Sequence, residues 1–174
     1  MVDNSALTAI SAIGFAVGLL AITIGSAYLA RSMQGEQKPG SDLAGLASVL
    51  YLMLATVVIV SMSLSFWILD TDWAEKGGDA ITTYAVSEGI GAGVFMFMGA
   101  PLLLLGIAIL RQKEVNHRLP LFPVVSVGAI AALFGACMVV GSALTLITND
   151  SSSGVDDITR MIWFIGILGW IVIT

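Results

Sequence analysis

The chain has 174 residues, of which 57% are hydrophobic and only 11% are charged, and its mean hydropathy is +0.98. Because a water-soluble domain carries about 25% charged residues, this composition argues against a soluble globular protein and predicts a lipid environment. The formal net charge of −5 argues against nucleic-acid binding, since contacts to phosphates need a basic surface.

Five apolar runs predict membrane spans, at residues 6–30, 43–69, 89–110, 121–147 and 158–174. A helix needs about 20 residues to cross ~30 Å of hydrocarbon, and the first four runs contain no charged residue. The fifth is shorter and includes Arg160, so it either crosses fully or ends at the inner headgroups. Unpaired backbone groups are costly in lipid, which favours helices over open strands. The sequence therefore predicts one all-α domain over residues 1–174, an integral membrane bundle of five transmembrane helices.

The basic residues predict how this bundle is oriented. Loops 31–42 and 111–120 contain five Lys and Arg residues, whereas loops 70–88 and 148–157 contain only Lys76. Because cytoplasmic loops are enriched in Lys and Arg, we expect the N-terminus outside and the C-terminus inside. No Lys or Arg precedes the first apolar run, so we expect this run to be a retained span and not a secretory signal.

An acidic stretch, FWILDTDWAEKGGD at residues 66–79, follows the second predicted span. Its carboxylates include Asp70, Asp72 and Glu75. The first interpretation is a solvated loop on the non-cytoplasmic side. The alternative is a weak cation contact, because carboxylates one or two residues apart in a glycine-containing loop can converge on Ca²⁺.

Small residues recur along three of the predicted spans. Small residues four positions apart allow helix backbones to approach closely in lipid. The candidate helix-packing residues are Gly14, Gly18 and Gly25 in the first span, Gly89 and Gly93 in the third, and Gly128, Ala132 and Gly135 in the fourth. The contacts they predict are either within the chain or with partner subunits.

Glu88 and Pro101 are the candidates for a transport role. Glu88 directly precedes the third predicted span, where a carboxylate either reaches water while stabilising the helix N-terminus or contacts a proton or cation. Pro101 lies inside the same span and either kinks the helix or helps to line a substrate site. A small permease or channel that uses Glu88 and the Pro101 kink is the alternative function.

Catalytic and cofactor-binding patterns are missing from the sequence. It contains no Ser-His-Asp set, phosphate loop or dinucleotide fingerprint, and His117 is its single histidine. Glu114 and His117 have the Glu-x-x-His spacing of di-iron bundles, but such sites need two of these motifs and two further carboxylates. We therefore expect no enzymatic activity of its own, no cofactor and no metal site.

The segments YAVSEGIGAGVFMFMGAPLLLLGIAIL and HRLPLFPVVSVGAIAALFGACMVVGSALTLI resemble an uncharacterised family of archaeal multi-pass membrane proteins. The resemblance covers about residues 70–150, with matching positions at Tyr84, Glu88, Gly99, Pro120 and Gly135. The chain is also similar to accessory subunits of large membrane oxidases such as the archaeal ammonia monooxygenase, whose extra subunits are short helical membrane proteins. These resemblances imply a multi-pass protein of the cell membrane and a non-catalytic accessory subunit that contacts other subunits and the lipid bilayer.

Overall fold

The structure is a computed structural model that describes residues 5–68, 80–118 and 126–148, together with Ile158, Met161 and Ile165. Four helices fill most of these ranges: α1 (Ser5–Ser32), α2 (Ser41–Ile68), α3 (Ala80–Arg111) and α4 (Val127–Thr148). The described residues form no strand, only an isolated antiparallel bridge between Arg118 and Ser126. The predicted all-α class is thus confirmed for the part of the chain that the structure describes.

Two of the helices are long and apolar enough to cross a membrane, α1 over Ile13–Ser32 and α2 over Ser41–Ser63. The apolar stretches identified in α3 and α4, Phe97–Arg111 and Val127–Ala143, are shorter. Many outward-facing side chains of α1 and α2 are large and apolar, among them Phe15, Val17, Leu52 and Val60. A helix that is hydrophobic on all sides suits a lipid environment or a protein interior.

The third helix begins earlier than the sequence predicts. It starts at Ala80, nine residues before the expected start at position 89, so the prediction of a loop over 80–88 is wrong. The segment AITTYAVSE contains neither glycine nor proline, and nothing in it interrupts a helix. A search for apolar runs stops at the polar residues of this segment even though they are compatible with helix. The predicted fifth span lies outside the described residues except for three helical positions, 158, 161 and 165.

Helices α3 and α4 run antiparallel and are in backbone contact. Gly99 lies against Met138 and Val139 near one end of the contact, and Gly128 lies against Leu110 near the other. Between these points, a Cβ at Gly106 would overlap the backbone of Ala132, and a Cβ at Gly135 would overlap that of Leu103. The absence of side chains at these four glycines allows the two helices to approach so closely.

The contact between α1 and α2 contains buried polar side chains. Thr23 and Ser26 of α1 and Ser48 and Tyr51 of α2 are all buried. Thr23 donates its hydroxyl hydrogen to the carbonyls of Leu19 and Leu20, and the Tyr51 hydroxyl lies near the side chain of Ser26. Polar groups of the two helices therefore lie near each other inside this contact.

The α1–α2 loop packs against the C-terminal end of α3. Gly40 has a φ of 79°, a left-handed conformation that favours glycine, and a Cβ there would lie 3.2 Å from the Cα of Ala108. The side-chain amide of Gln112, which is buried, donates a hydrogen bond of 2.9 Å to the carbonyl of Met33. The loop between α1 and α2, residues 33–40, and the described part of the loop after α3, residues 112–118, therefore lie together at one end of the bundle.

The loop after α3 also supplies partners for the first amides of α4. The Val127 amide donates to the His117 carbonyl and the Gly128 amide to Oδ1 of Asn116, while the Ala129 amide donates to Oγ of Ser126. Helix N-termini leave such amides without partners inside the helix, so these bonds cap α4. They hold the loop that contains Arg118 over the start of that helix.

Candidate interaction surface

Seven exposed positions follow one face of α1 along most of its length. They recur at alternating spacings of three and four residues, and we call them the α1 small-residue face. Apart from Tyr28, each has a small side chain or none. The positions are Ser11, Gly14, Gly18, Ala21, Gly25, Tyr28 and Ser32.

This face is on the opposite side of α1 from its buried residues. The buried positions Ala16, Leu19, Thr23, Ser26 and Ala30 repeat the same spacing but are displaced by two residues. Two residues correspond to about 200° around a helix axis, so the two sets point in nearly opposite directions. Helix α2, which packs against α1, therefore leaves the α1 small-residue face uncovered.

The glycines of this face make no close packing contact within the described residues. A Cβ added at Gly14, Gly18 or Gly25 would meet no neighbouring heavy atom within 4 Å. The same holds for Gly89 at the start of the third predicted span, whereas the surroundings of Gly93 lie outside what the structure describes. Contacts with partner subunits, the other alternative for these residues, stay a prediction.

The remaining candidate packing residues lie at the contact between α3 and α4. Gly128, Ala132 and Gly135 of α4 all approach the backbone of α3. Sequence reasoning did not include their counterparts, Gly99 and Gly106. The missed signal is spacing: two glycines seven residues apart in α3 face two glycines seven residues apart in α4, the repeat of helices that pack in a left-handed pair.

Glu88 is the ninth residue of α3 and not part of its first turn. The prediction that its carboxylate stabilises the helix N-terminus is therefore wrong, because that effect fades within one turn. Its side chain lies outside what the structure describes. Glu88 precedes Arg111 by 23 residues, or about 35 Å of helix.

Pro101 is buried within a continuous α3. It lies between Gly99 and Leu103, both of which contact α4. A proline lacks the amide that would bond to the carbonyl four residues earlier, here that of Phe97. Its buried location favours a packing role, and a role in lining a substrate site stays a prediction.

The predicted outer-loop cation contact at Asp70, Asp72 and Glu75 lies outside the described residues. Among the residues that are described, no group of three or more His, Cys, Asp and Glu side chains could hold a metal ion. Glu114 and His117 are both exposed in the loop between α3 and α4.

Comparisons with known proteins identify no relative. No protein-family model, no curated protein and no solved structure matches the chain.

Proposed function

We propose that this protein is a non-catalytic accessory subunit of a larger complex in the cell membrane, and that it binds a partner helix through the α1 small-residue face. The observation that supports this proposal is the exposure of Gly14, Gly18 and Gly25 along a face that α2 does not cover. Lipid tails are as apolar as leucine, so helices associate in a membrane by close packing. A surface without bulky side chains is suited to such packing.

The bundle that we propose crosses the membrane five times, with its N-terminus outside and its C-terminus inside. Two features support this arrangement. Both basic loops lie at the same end of the described helices, where Gln112 bonds to Met33. Large apolar side chains also face outward from helices α1 and α2. Because cytoplasmic loops are enriched in Lys and Arg, we place this end of the bundle on the cytoplasmic side.

An archaeal ammonia monooxygenase-type oxidase is the setting that we propose for this subunit. Support comes from the resemblance of the chain to the short helical subunits of that complex and from its strongly apolar composition. In such an assembly the catalytic groups belong to other chains, and this subunit contributes a membrane-embedded packing surface.

Purification from native membranes in mild detergent, followed by mass spectrometry, tests the proposal. We expect the protein to elute with other membrane chains in fixed proportion. Elution as a stable, solitary monomer would contradict the accessory-subunit function.

A small permease or channel is the second candidate. Glu88 and Pro101, the two residues on which it depends, both lie in helix α3. The discriminating experiment compares ion and proton flux into liposomes that contain either the wild-type protein or Glu88→Gln. A wild-type flux that the substitution abolishes would favour the permease. Equal fluxes would exclude the proposed role of Glu88.

A further inference from the structure

We infer that one end of the bundle binds anionic phospholipid headgroups. At this end, the loop between α1 and α2 lies against the end of α3 and the loop that follows it. This surface, the basic end, contains the exposed cations Arg31, Lys38, Arg111, Lys113 and Arg118. The inference rests on the proposed insertion in a membrane and goes beyond it by assigning a ligand class to particular residues.

The structure brings cations from different segments together at this end. Lys38 folds back over Gly35, and its Nζ donates a hydrogen bond of 3.1 Å to the carbonyl of Ser32, in the last turn of α1 beside Arg31. Gly40 lies against α3, where its added Cβ would be 3.3 Å from the Cβ of Arg111. Cations that are distant in sequence thus share one surface.

The charge of the basic end is opposite to that of the whole chain. Its five cations are accompanied by three exposed carboxylates, Glu36, Asp42 and Glu114, which leaves a formal excess of two positive charges. The complete chain has a net charge of −5, so the remaining residues are strongly acidic. A local positive surface on an acidic protein is suited to attract phosphate groups.

The location of these cations favours lipid as the source of the phosphates. Arg31 and Arg111 lie in the last turns of two long helices, directly after apolar stretches. Tyr28, one turn before Arg31, is 68% exposed, and tyrosine is enriched at the level of the headgroups. In a membrane, this end of the bundle would face the headgroups of one leaflet.

The test uses the full-length chain reconstituted into vesicles of phosphatidylcholine alone or of phosphatidylcholine with phosphatidylglycerol. Lipids retained after mild detergent extraction are counted by native mass spectrometry. The key variant is Arg31→Gln/Lys38→Gln/Arg111→Gln. Its charge-preserving counterpart is Arg31→Lys/Arg111→Lys, and Lys76→Gln, in the acidic stretch at residues 66–79, is the matched control.

We expect wild-type protein to retain phosphatidylglycerol in preference to phosphatidylcholine. Each cation removed from the basic end should weaken this retention about fivefold, and added salt should weaken it further. The charge-preserving variant and Lys76→Gln should behave as wild type.

Equal retention of phosphatidylglycerol by wild type and the triple variant would overturn the inference, as would an equal loss in the triple variant and Lys76→Gln. Extraction with alkaline carbonate tests membrane insertion separately from lipid binding. If the protein resists extraction but shows no preference for phosphatidylglycerol, only the lipid-binding inference is excluded. If carbonate releases the protein, membrane insertion is excluded as well.

Discussion

Gly106 of α3 lies directly against Ala132 of α4, so that a Cβ at Gly106 would be only 2.7 Å from the Cα of Ala132. Real Cβ atoms essentially never approach so closely, and the obstacle is a backbone that has no flexible end to move aside. The separation between α3 and α4 is therefore set by glycine at this position.

We expect Gly106→Ala to destabilise the bundle by about 1–3 kcal/mol, the usual cost of adding atoms to a packed interior. Thermal unfolding in detergent micelles measures the effect. Gly89→Ala is the matched control, because its added Cβ meets no neighbour within 4 Å, and alanine favours helix over glycine. Equal melting temperatures for the two variants would show that the α3–α4 contact is not so close.

Substitution of Gln112 by alanine should also destabilise the bundle. It leaves the carbonyl of Met33, a fully buried residue, without its side-chain donor, at a cost of about 1–3 kcal/mol. Gln37→Ala, at an exposed position in the same end of the bundle, should cause little change. The comparison is made by chemical unfolding, and similar midpoints for both variants would argue against this link between α1 and α3.

Gly40→Ala tests how the α1–α2 loop is seated. Alanine at a φ of 79° is strained by about 1–2 kcal/mol, and its Cβ would also crowd Ala108 at 3.2 Å. Gly35→Ala is the control, since its added Cβ would meet only the flexible side chain of Lys38. We expect the melting temperature to fall clearly for Gly40→Ala and only slightly for Gly35→Ala. The reverse order would contradict the loop conformation.

Tyr51→Phe should weaken the association of α1 with α2. The substitution removes a buried hydroxyl that lies near the side chain of Ser26, and a polar side-chain contact between membrane helices contributes about 0.6 kcal/mol on average. Tyr28→Phe changes the same atom on an exposed residue and should leave the unfolding midpoint unchanged. A loss of stability in Tyr28→Phe as large as in Tyr51→Phe would count against a stabilising role for the buried Tyr51 hydroxyl.

Hydropathy was sufficient to predict the four described helices, because each contains an uninterrupted apolar run. It failed at the start of α3, where Thr82, Thr83 and Ser87 reduce the hydropathy without breaking the helix. Sequence spacing also identified Gly128 and Gly135, but it could not distinguish them from Gly14 and Gly18. In α4 this glycine spacing forms the contact with α3, whereas in α1 the glycines with this spacing are exposed.

The close packing of α3 against α4 depends on the sequences of both helices. Gly99 lies against Met138 and Gly135 of α4, and this contact cannot be predicted from the sequence of either helix alone. The bond from Gln112 to Met33 has the same character, since it joins residues 79 positions apart. Both features arise from the packing of complete helices and not from local sequence preferences.

The most direct measurement of the proposed function compares partner recovery for two α1 variants, purified from native membranes and quantified by mass spectrometry. Gly18→Leu fills the centre of the α1 small-residue face, whereas Ile24→Phe adds bulk at an exposed position on the flank of that face. We predict that Gly18→Leu inserts and folds normally but loses its co-purifying chains, while Ile24→Phe retains them. Full recovery of the same partner chains with Gly18→Leu would contradict a docking role for α1.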